Sequence, residues 1–409
     1  MGWLNKRLAS MVVASVLGSL SWGMSVFGQP KMATLGNGPH RNMVNLSAEG
    51  LPTRWRVKNN PLNIEWVAQL GSTTYGEPVV ADGKVFVSTN NKKPRDPNVR
   101  GPKSILMCFD QNTGKYLWQI VNEMPPKNIV REALHDGSCG TPTVVGKRIY
   151  FLAPAAELVC ARTSDGKILW SLDMMKVIFA GGDCYLYGLD ARTGKMIWKF
   201  YCNSKAEANR QKQRGFPTYI LSTPVIYKNR AYIGIGLYPG HFASNKIGHF
   251  WCIDITKKGD VSPKEDNFDP KAKVNKNSAL VWHFGGEVKP RPKAGQRSVY
   301  FGKTLSTAAI YDGLVYISEE LGYVHCLDSE TGKLYWSYDA FSGIWGSPMW
   351  VDDRVYVGTE QGDILVFQHG KKLNLIRTNY MGGNLFGTPV AEGSTLYVTT
   401  RSKLYAIGE

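Results

Sequence analysis

LDSETGKLYW, residues Leu327–Trp336, decides how the chain folds, because the chain repeats it. FDQNTGKYLW ends at Trp118, ARTSDGKILW at Trp170 and LDARTGKMIW at Trp198. Each copy has an apolar strand end, an Asp or Arg, a Thr-Gly-Lys or Asp-Gly-Lys turn, and a strand closing on Trp. The turn Gly supplies positive φ without steric cost, and the Asp or Thr before it can hydrogen-bond its own backbone. This predicts a tight hairpin between two strands, and four matched copies predict a repeat architecture.

The units can be walked outward from these hairpins. Unit one runs Pro78–Trp118, unit two Thr141–Trp170, unit four Ser222–Trp282, unit five Ser306–Trp336 and unit six Gly346–Thr378. Most open on Gly or Ser, then Thr or Ser, then Pro, as at Gly140-Thr141-Pro142, Ser222-Thr223-Pro224, Gly346-Ser347-Pro348 and Gly387-Thr388-Pro389. Pro348 and Pro389 lie 41 residues apart, the length of a four-stranded propeller blade. Alternating runs such as Lys84–Ser88 and Arg354–Gly358 are second strands. Asn63–Leu70 resembles the last strand of a unit that lacks its earlier strands, and Gly387–Glu409 stops just before its hairpin. The two fragments complement each other, so the N-terminal strand should complete the C-terminal blade and close a ring without edge strands. Unit three is short, because Trp170 and Trp198 are only 28 residues apart. Either it has three strands, or Ser171–Lys176 substitutes for the fourth. The expectation is an all-β chain forming a single β-propeller of about seven blades, one of them incomplete.

Residues 1–28 have the grammar of a secretory signal peptide: Lys6 and Arg7, then the uncharged apolar run Leu8–Phe27, with Val26 and Gly28 at −3 and −1 of a cleavage site. A retained anchor helix is the alternative. Residues 29–62 are polar, rich in Gly and Asn and aperiodic, an extended arm lying on the domain, and 63–409 form the propeller. No later run is apolar enough to span a bilayer, and the leader has no Cys for a lipid anchor. The expected location is periplasmic or secreted, as a monomer. Seven cysteines, an odd number spread widely, do not form a disulfide framework. Cys108, Cys160, Cys252 and Cys326 share one repeat position and are expected as small buried apolar residues; proximity alone allows Cys139 with Cys160 or Cys184 with Cys202.

The insertions Asn91–Ser104, Asn122–Ser138, Cys202–Tyr219, Tyr238–His249 and Gly285–Thr304 all fall between second and third strands or between units, hence on one face of the ring. Thr256–Ser278 is the exception, inside a hairpin. The five inserts carry 17 Lys and Arg against 6 Asp and Glu, a net +11 of the chain's +16. Lys92, Lys93, Arg95, Arg100 and Lys103 form one cluster. Arg210, Lys212 and Arg214 form a second, and Lys289, Arg291, Lys293 and Arg297 a third. Such a face concentrates anions, so a ligand would be acidic: an anionic glycan, a lipid head group or an acidic envelope protein. Plain solvation of the loops is the bland alternative. Nucleic acid suits the charge, but export argues against it.

No pair among the seven His has zinc-type spacing beside a Cys or carboxylate; His283 and His325 are expected as strand-face residues. Glu319-Glu320 is expected as a solvated turn. No nucleophile motif is present, and no catalytic, cofactor or metal residue is assigned.

The xDxxTGKxxW hairpins and S/G-T-P openings resemble the PQQ-type β-propeller repeat of quinoprotein alcohol dehydrogenases and of the outer-membrane-assembly lipoprotein BamB. By that resemblance the hairpin Trp stacks on the neighbouring blade, making Trp118, Trp170, Trp198 and Trp336 structural docking residues, with Trp66 and Trp282 as equivalents in eroded motifs. It also implies two functions: a non-catalytic binding or assembly scaffold needing no cofactor, or a divergent PQQ- and calcium-dependent oxidoreductase. Against the second stand the lack of adjacent cysteines and of a matching carboxylate cluster. The family norm of eight blades makes unit three a loss of material.

Overall fold

The computed structural model describes residues 32–33, 36, 42–124, 140–154, 157–173, 184–189, 196–205, 209, 218–237, 247–288, 290, 292–293 and 296–408. Their regular elements are almost all strands, joined by turns and loops, with a 3-10 turn at Lys273–Asn275. Unit one shows the plan: Val79–Ala81, Lys84–Asn90, Lys103–Asp110 and Tyr116–Glu123 form one antiparallel sheet in sequence order. Its second and third strands are buried almost throughout, whereas the fourth is largely exposed or half-buried. Sheets packed face to face bury both sides of their middle strands, which is why VFVS, ILMCF and their counterparts are continuous apolar runs.

Units two, four, five and six repeat this order. In unit seven Trp66–Gln69 pairs antiparallel with Lys403–Ile407, Trp66 opposite Ala406, so the chain's early strand is the outer strand of its last sheet, as expected from the complementary fragments. The fold is that of a PQQ-type β-propeller.

Four of the tryptophans reach across to the following unit. The indole of Trp66 donates to Gln111 O at 2.9 Å, Trp118 to Thr163 O at 3.2 Å, Trp282 to Ser329 O at 3.0 Å and Trp336 to Gly370 O at 3.1 Å. Each acceptor lies in the outer hairpin of the following unit. Gly in that turn has a second purpose: a Cβ on Gly114, Gly166 or Gly332 would lie 2.5–2.6 Å from the ring of Trp66, Trp118 or Trp282. The residue opposite each Trp on its own sheet is small: Cys108, Cys160, Gly188, Cys252, Cys326 and Ala406. The repeated cysteine is thus a small side chain beneath an indole. Cys108, Cys160, Cys252 and Cys326 are buried free thiols, and burial pushes Cys108, Cys252 and Cys326 up to about 12.

The S/G-T-P openings tie the hub together. At four openings the N–H of the residue after the opening Gly or Ser, which precedes Pro in all but unit five (Thr307-Ala308), donates to the hydroxyl at the same position of the next unit: Glu77 to Thr141 at 3.3 Å, Thr223 to Thr307 at 3.2 Å, Thr307 to Ser347 at 2.9 Å and Ser347 to Thr388 at 2.8 Å. A hydroxyl can accept from one neighbour while its own N–H serves the other, which favours Ser or Thr there.

The described parts of the arm meet the propeller in several places: Met32–Ala33 adds to Thr143–Val145, the innermost strand of unit two, Val44–Asn45 adds in parallel to Met349–Val351, the innermost strand of unit six, and Trp55 N donates to Asn379 Oδ1 of the outer strand of unit six at 3.2 Å. Met43 and Val44 are buried with Tyr316, Ile344 and Trp350. An innermost strand offers its free edge only to the hub, so the arm enters it. Ser171–Asp173 completes the outer strand of unit two, Ile168–Asp173, rather than serving unit three; Met174–Lys176 lie outside the described residues. Among the described residues unit three holds Tyr185–Leu189 and Met196–Tyr201, and its open side is taken by Gly259–Asp260, pairing in parallel with Trp198 and Lys199. That strand belongs to Thr256–Ser278, the one insertion on the wrong face. Val261 N donates to Lys199 O at 3.0 Å, Tyr201 N to Ser262 Oγ at 3.0 Å and Lys205 N to Asp266 Oδ1 at 2.8 Å. Unit four therefore clasps unit three. The ladder of unit three also brings Cys184 and Cys202 opposite each other, Cys202 N donating to Cys184 O at 2.9 Å.

Candidate binding face

The face expected to bind is built from the connections that leave second strands and from those that enter the hub. Its charges are not equivalent. Lys92 and Lys93 are exposed. Arg95 instead donates to Gln69 O at 2.7 Å and lies 4.6 Å above the Tyr116 ring, pinning its loop to the sheet. Lys103 is paired with Glu123. Arg297 is paired with Glu319 and lies 3.9 Å above the Tyr323 ring. Lys293 is exposed. Arg210, Lys212, Arg214, Lys289 and Arg291 lie outside the described residues. Arg95, Lys103 and Arg297 thus hold the loops in shape, and among the described members of the clusters Lys92, Lys93, Arg100 and Lys293 are the ones presented outward.

Glu319 corrects a further expectation, since it is no solvated residue. It is fully buried, with Arg297 and the N–H of Gly302 on its carboxylate and His325 Nε2 at 3.4 Å. His325 is held from its other side by Ser337 at 2.7 Å. A buried carboxylate requires such partners, and here they fasten Gly285–Thr304 to unit five. Glu320 points elsewhere. Burial raises its pKa, Lys303 opposes that shift and the charge of Glu360 adds to it.

Glu360 stands at the hub rim. Its Oε2 accepts from the Trp345 indole at 3.0 Å, and its backbone is held by Gly343 O and the Asn384 amide at 2.7 Å each. Trp345, Phe386 and Tyr75 each precede the Gly of a unit opening, in units six, seven and one. Their rings form one half-buried cluster, with centroids 5.0 Å apart for Tyr75–Phe386, 5.4 Å for Trp345–Phe386 and 6.1 Å for Tyr75–Trp345. Sequence reading missed this cluster because its members differ in type and lie in separate loops; the shared position before Gly-x-Pro was the available signal.

A second unforeseen group is the pair His249 and His283, Nδ1 to Nε2 at 2.8 Å, enclosed by Trp251 and by Phe268 of the clasp. Burial lowers both, His249 to about 4, with Asp266 opposing; the charge of His249 lowers His283 further.

The residues do not fit a quinone with its calcium. Among the described residues no three His, Cys, Asp or Glu are grouped to hold a metal. Glu319 is spent on Arg297 and Glu320 faces Lys303, and the hub edges of units two and six carry the arm.

A family model described as outer membrane protein assembly factor BamB matches residues 61–174 and 272–408. The tetrathionate hydrolase of Acidithiobacillus ferrooxidans is 21% identical over 415 aligned positions, covering 84% of this chain and 76% of that protein. The dehydrogenase subunit of a quinone alcohol dehydrogenase from Gluconobacter oxydans is 27% identical over 161, covering 39% of this chain and 16% of the subunit. A solved europium-containing methanol dehydrogenase, 11% identical, superposes with a TM-score of 0.54 over 92% of this chain and 98% of its own, a likeness of fold. Among the described residues no helix is long and apolar enough to cross a membrane.

Proposed function

The chain belongs to the outer membrane protein assembly factor BamB family, and from that premise we propose that it is a non-catalytic scaffold of the cell envelope. The observation that carries this reading is the hub. In a catalytic propeller the hub is the natural place for a small ligand, because it is concave and shared by every blade. Here the arm adds strands to the inner edges of units two and six. Binding is left to the loop face, where insertions on a rigid support are free to vary.

The occupant of that face is acidic in this proposal, an envelope protein or an anionic polysaccharide, since the five inserts hold +11 of the net charge. Lys92, Lys93, Arg100 and Lys293 are the described contributors; Arg210, Lys212, Arg214, Lys289 and Arg291 are assigned to the patch from the sequence alone. Export through a leader ending at Gly28 places the monomer in the periplasm or outside the cell. The test is retention on a heparin-type resin. Reversing Arg210, Lys212 and Arg214 to Glu should move elution to much lower salt while leaving the circular dichroism spectrum unchanged. Unaltered elution would reduce the basic face to solvated loops.

A further inference from the structure

Within the basic face the hub rim has the opposite character. Tyr75, Trp345 and Phe386 come from three successive units and pack into one aromatic floor, each ring half-buried. The floor is fixed in orientation, because the Trp345 indole is hydrogen-bonded to Glu360. Gly343 leaves the space that this carboxylate fills: a Cβ there would come within 2.8 Å of Oε2. Among the described residues Glu360 Oε1 accepts no hydrogen bond, so one oxygen orients the indole and the other is uncommitted.

Aromatic faces carry negative potential and attract cations, Arg above all. A guanidinium can also lie flat on a ring while its N–H fork meets a carboxylate. We infer that this rim is a docking site for one arginine side chain of a partner protein, packed against the cluster of Tyr75, Trp345 and Phe386 and paired with Glu360. The charge environment agrees. Glu320 and Glu360 lie near enough to repel, and Lys303 opposes that repulsion at Glu320, so an added positive charge at Glu360 relieves it further. A neutral ligand would gain only the stacking.

This inference goes beyond the acidic-ligand reading and does not depend on it, since neither Glu360 nor the three rings enter the heparin test. The probe is acetyl-Gly-Arg-Gly-amide, compared with its citrulline counterpart and with methyl glucoside. The readout is the fluorine spectrum of the full chain labelled with 5-fluorotryptophan, in which Trp345 is assigned by the resonance lost in Trp345→Phe. The Arg peptide should shift that resonance saturably, and more weakly as salt is raised. The citrulline peptide should bind about tenfold more weakly. Glu360→Gln should bring the Arg peptide down to the citrulline level, with the other tryptophan resonances unmoved as evidence of an intact fold. No shift with the Arg peptide, equal shifts with Arg and citrulline, or a shift with methyl glucoside alone would overturn the inference. Should Glu360→Gln disturb the other resonances, the Arg-against-citrulline comparison on the unaltered chain decides alone.

Discussion

Gly114 and Gly83 offer a matched test of the docking between units. Both lie in turns of unit one with nearly the same backbone, φ +67° and +68°. An alanine at either position therefore meets the same left-handed penalty, roughly 1–2 kcal/mol. They differ in what the added methyl would touch. Nothing lies within 4 Å of a Cβ on Gly83, whereas one on Gly114 would sit 2.5 Å from Cε3 and 2.6 Å from Cδ2 of Trp66. Overpacking of that kind costs about 1–3 kcal/mol more, so Gly114→Ala should lose about 2–5 kcal/mol in all. Urea unfolding followed by circular dichroism, with slopes compared between variants, measures both. The excess belongs to the indole, so it should disappear in a Trp66→Ala background, where the double-mutant cycle isolates the pair. If Gly114→Ala is no worse than Gly83→Ala, or if the excess survives without Trp66, the indole does not set the spacing between units one and seven.

Other expected outcomes follow from the buried charges. Removing Glu319 as Glu319→Ala leaves Arg297 and His325 without their anion and should cost about 3–5 kcal/mol in denaturant unfolding; an unchanged midpoint would show that the network is not stabilising. The depressed pKa of His249 means that unfolding takes up a proton between its ordinary value near 6.5 and about 4, so stability should fall as pH drops through that window. The share of His249 is about 2 kcal/mol at pH 5 and should be lost in His249→Phe, leaving the part that buried His283 contributes. The thiols shift the other way. Unfolded Cys ionises near 8.5 while buried Cys108, Cys252 and Cys326 stay protonated to about 12, so stability should decline as pH rises above the unfolded value. Native protein at pH 8 should also leave these three unlabelled by iodoacetamide, and labelling without unfolding would contradict their burial.

The propeller was legible because its determinants are local and repeated. The Gly-Lys turn, the Trp that follows and the alternating strands each act within about ten residues, and repetition multiplied the signal. The pairing of Trp66–Gln69 with Lys403–Ile407 could also be read, since two incomplete units imply each other. What escaped was written only once. Nothing in Val44–Asn45 announces that it will add to Met349–Val351, because any short extended segment can satisfy a free strand edge. Gly259–Asp260 has no strand signature, yet it covers unit three because that unit's edge must be met by something. Glu319 looked solvated because its partners, Arg297 and His325, are remote in the turn's own terms. Counting charge along the inserts likewise treated Arg95 and Arg297 as surface charges, when their guanidinium groups are engaged by backbone, ring and carboxylate.

The shared sheet of Trp66–Gln69 and Lys403–Ile407 has a consequence for biogenesis. A ribosome releases the first of these segments long before the second exists, so a nascent chain must keep one strand waiting through most of translation. Contacts between such distant positions form slowly, and an unsatisfied strand invites association with other chains. Maturation of this protein should therefore depend on a holding chaperone more than its regular architecture suggests, and trimming the last few residues should leave it as aggregation-prone as deleting Trp66–Gln69.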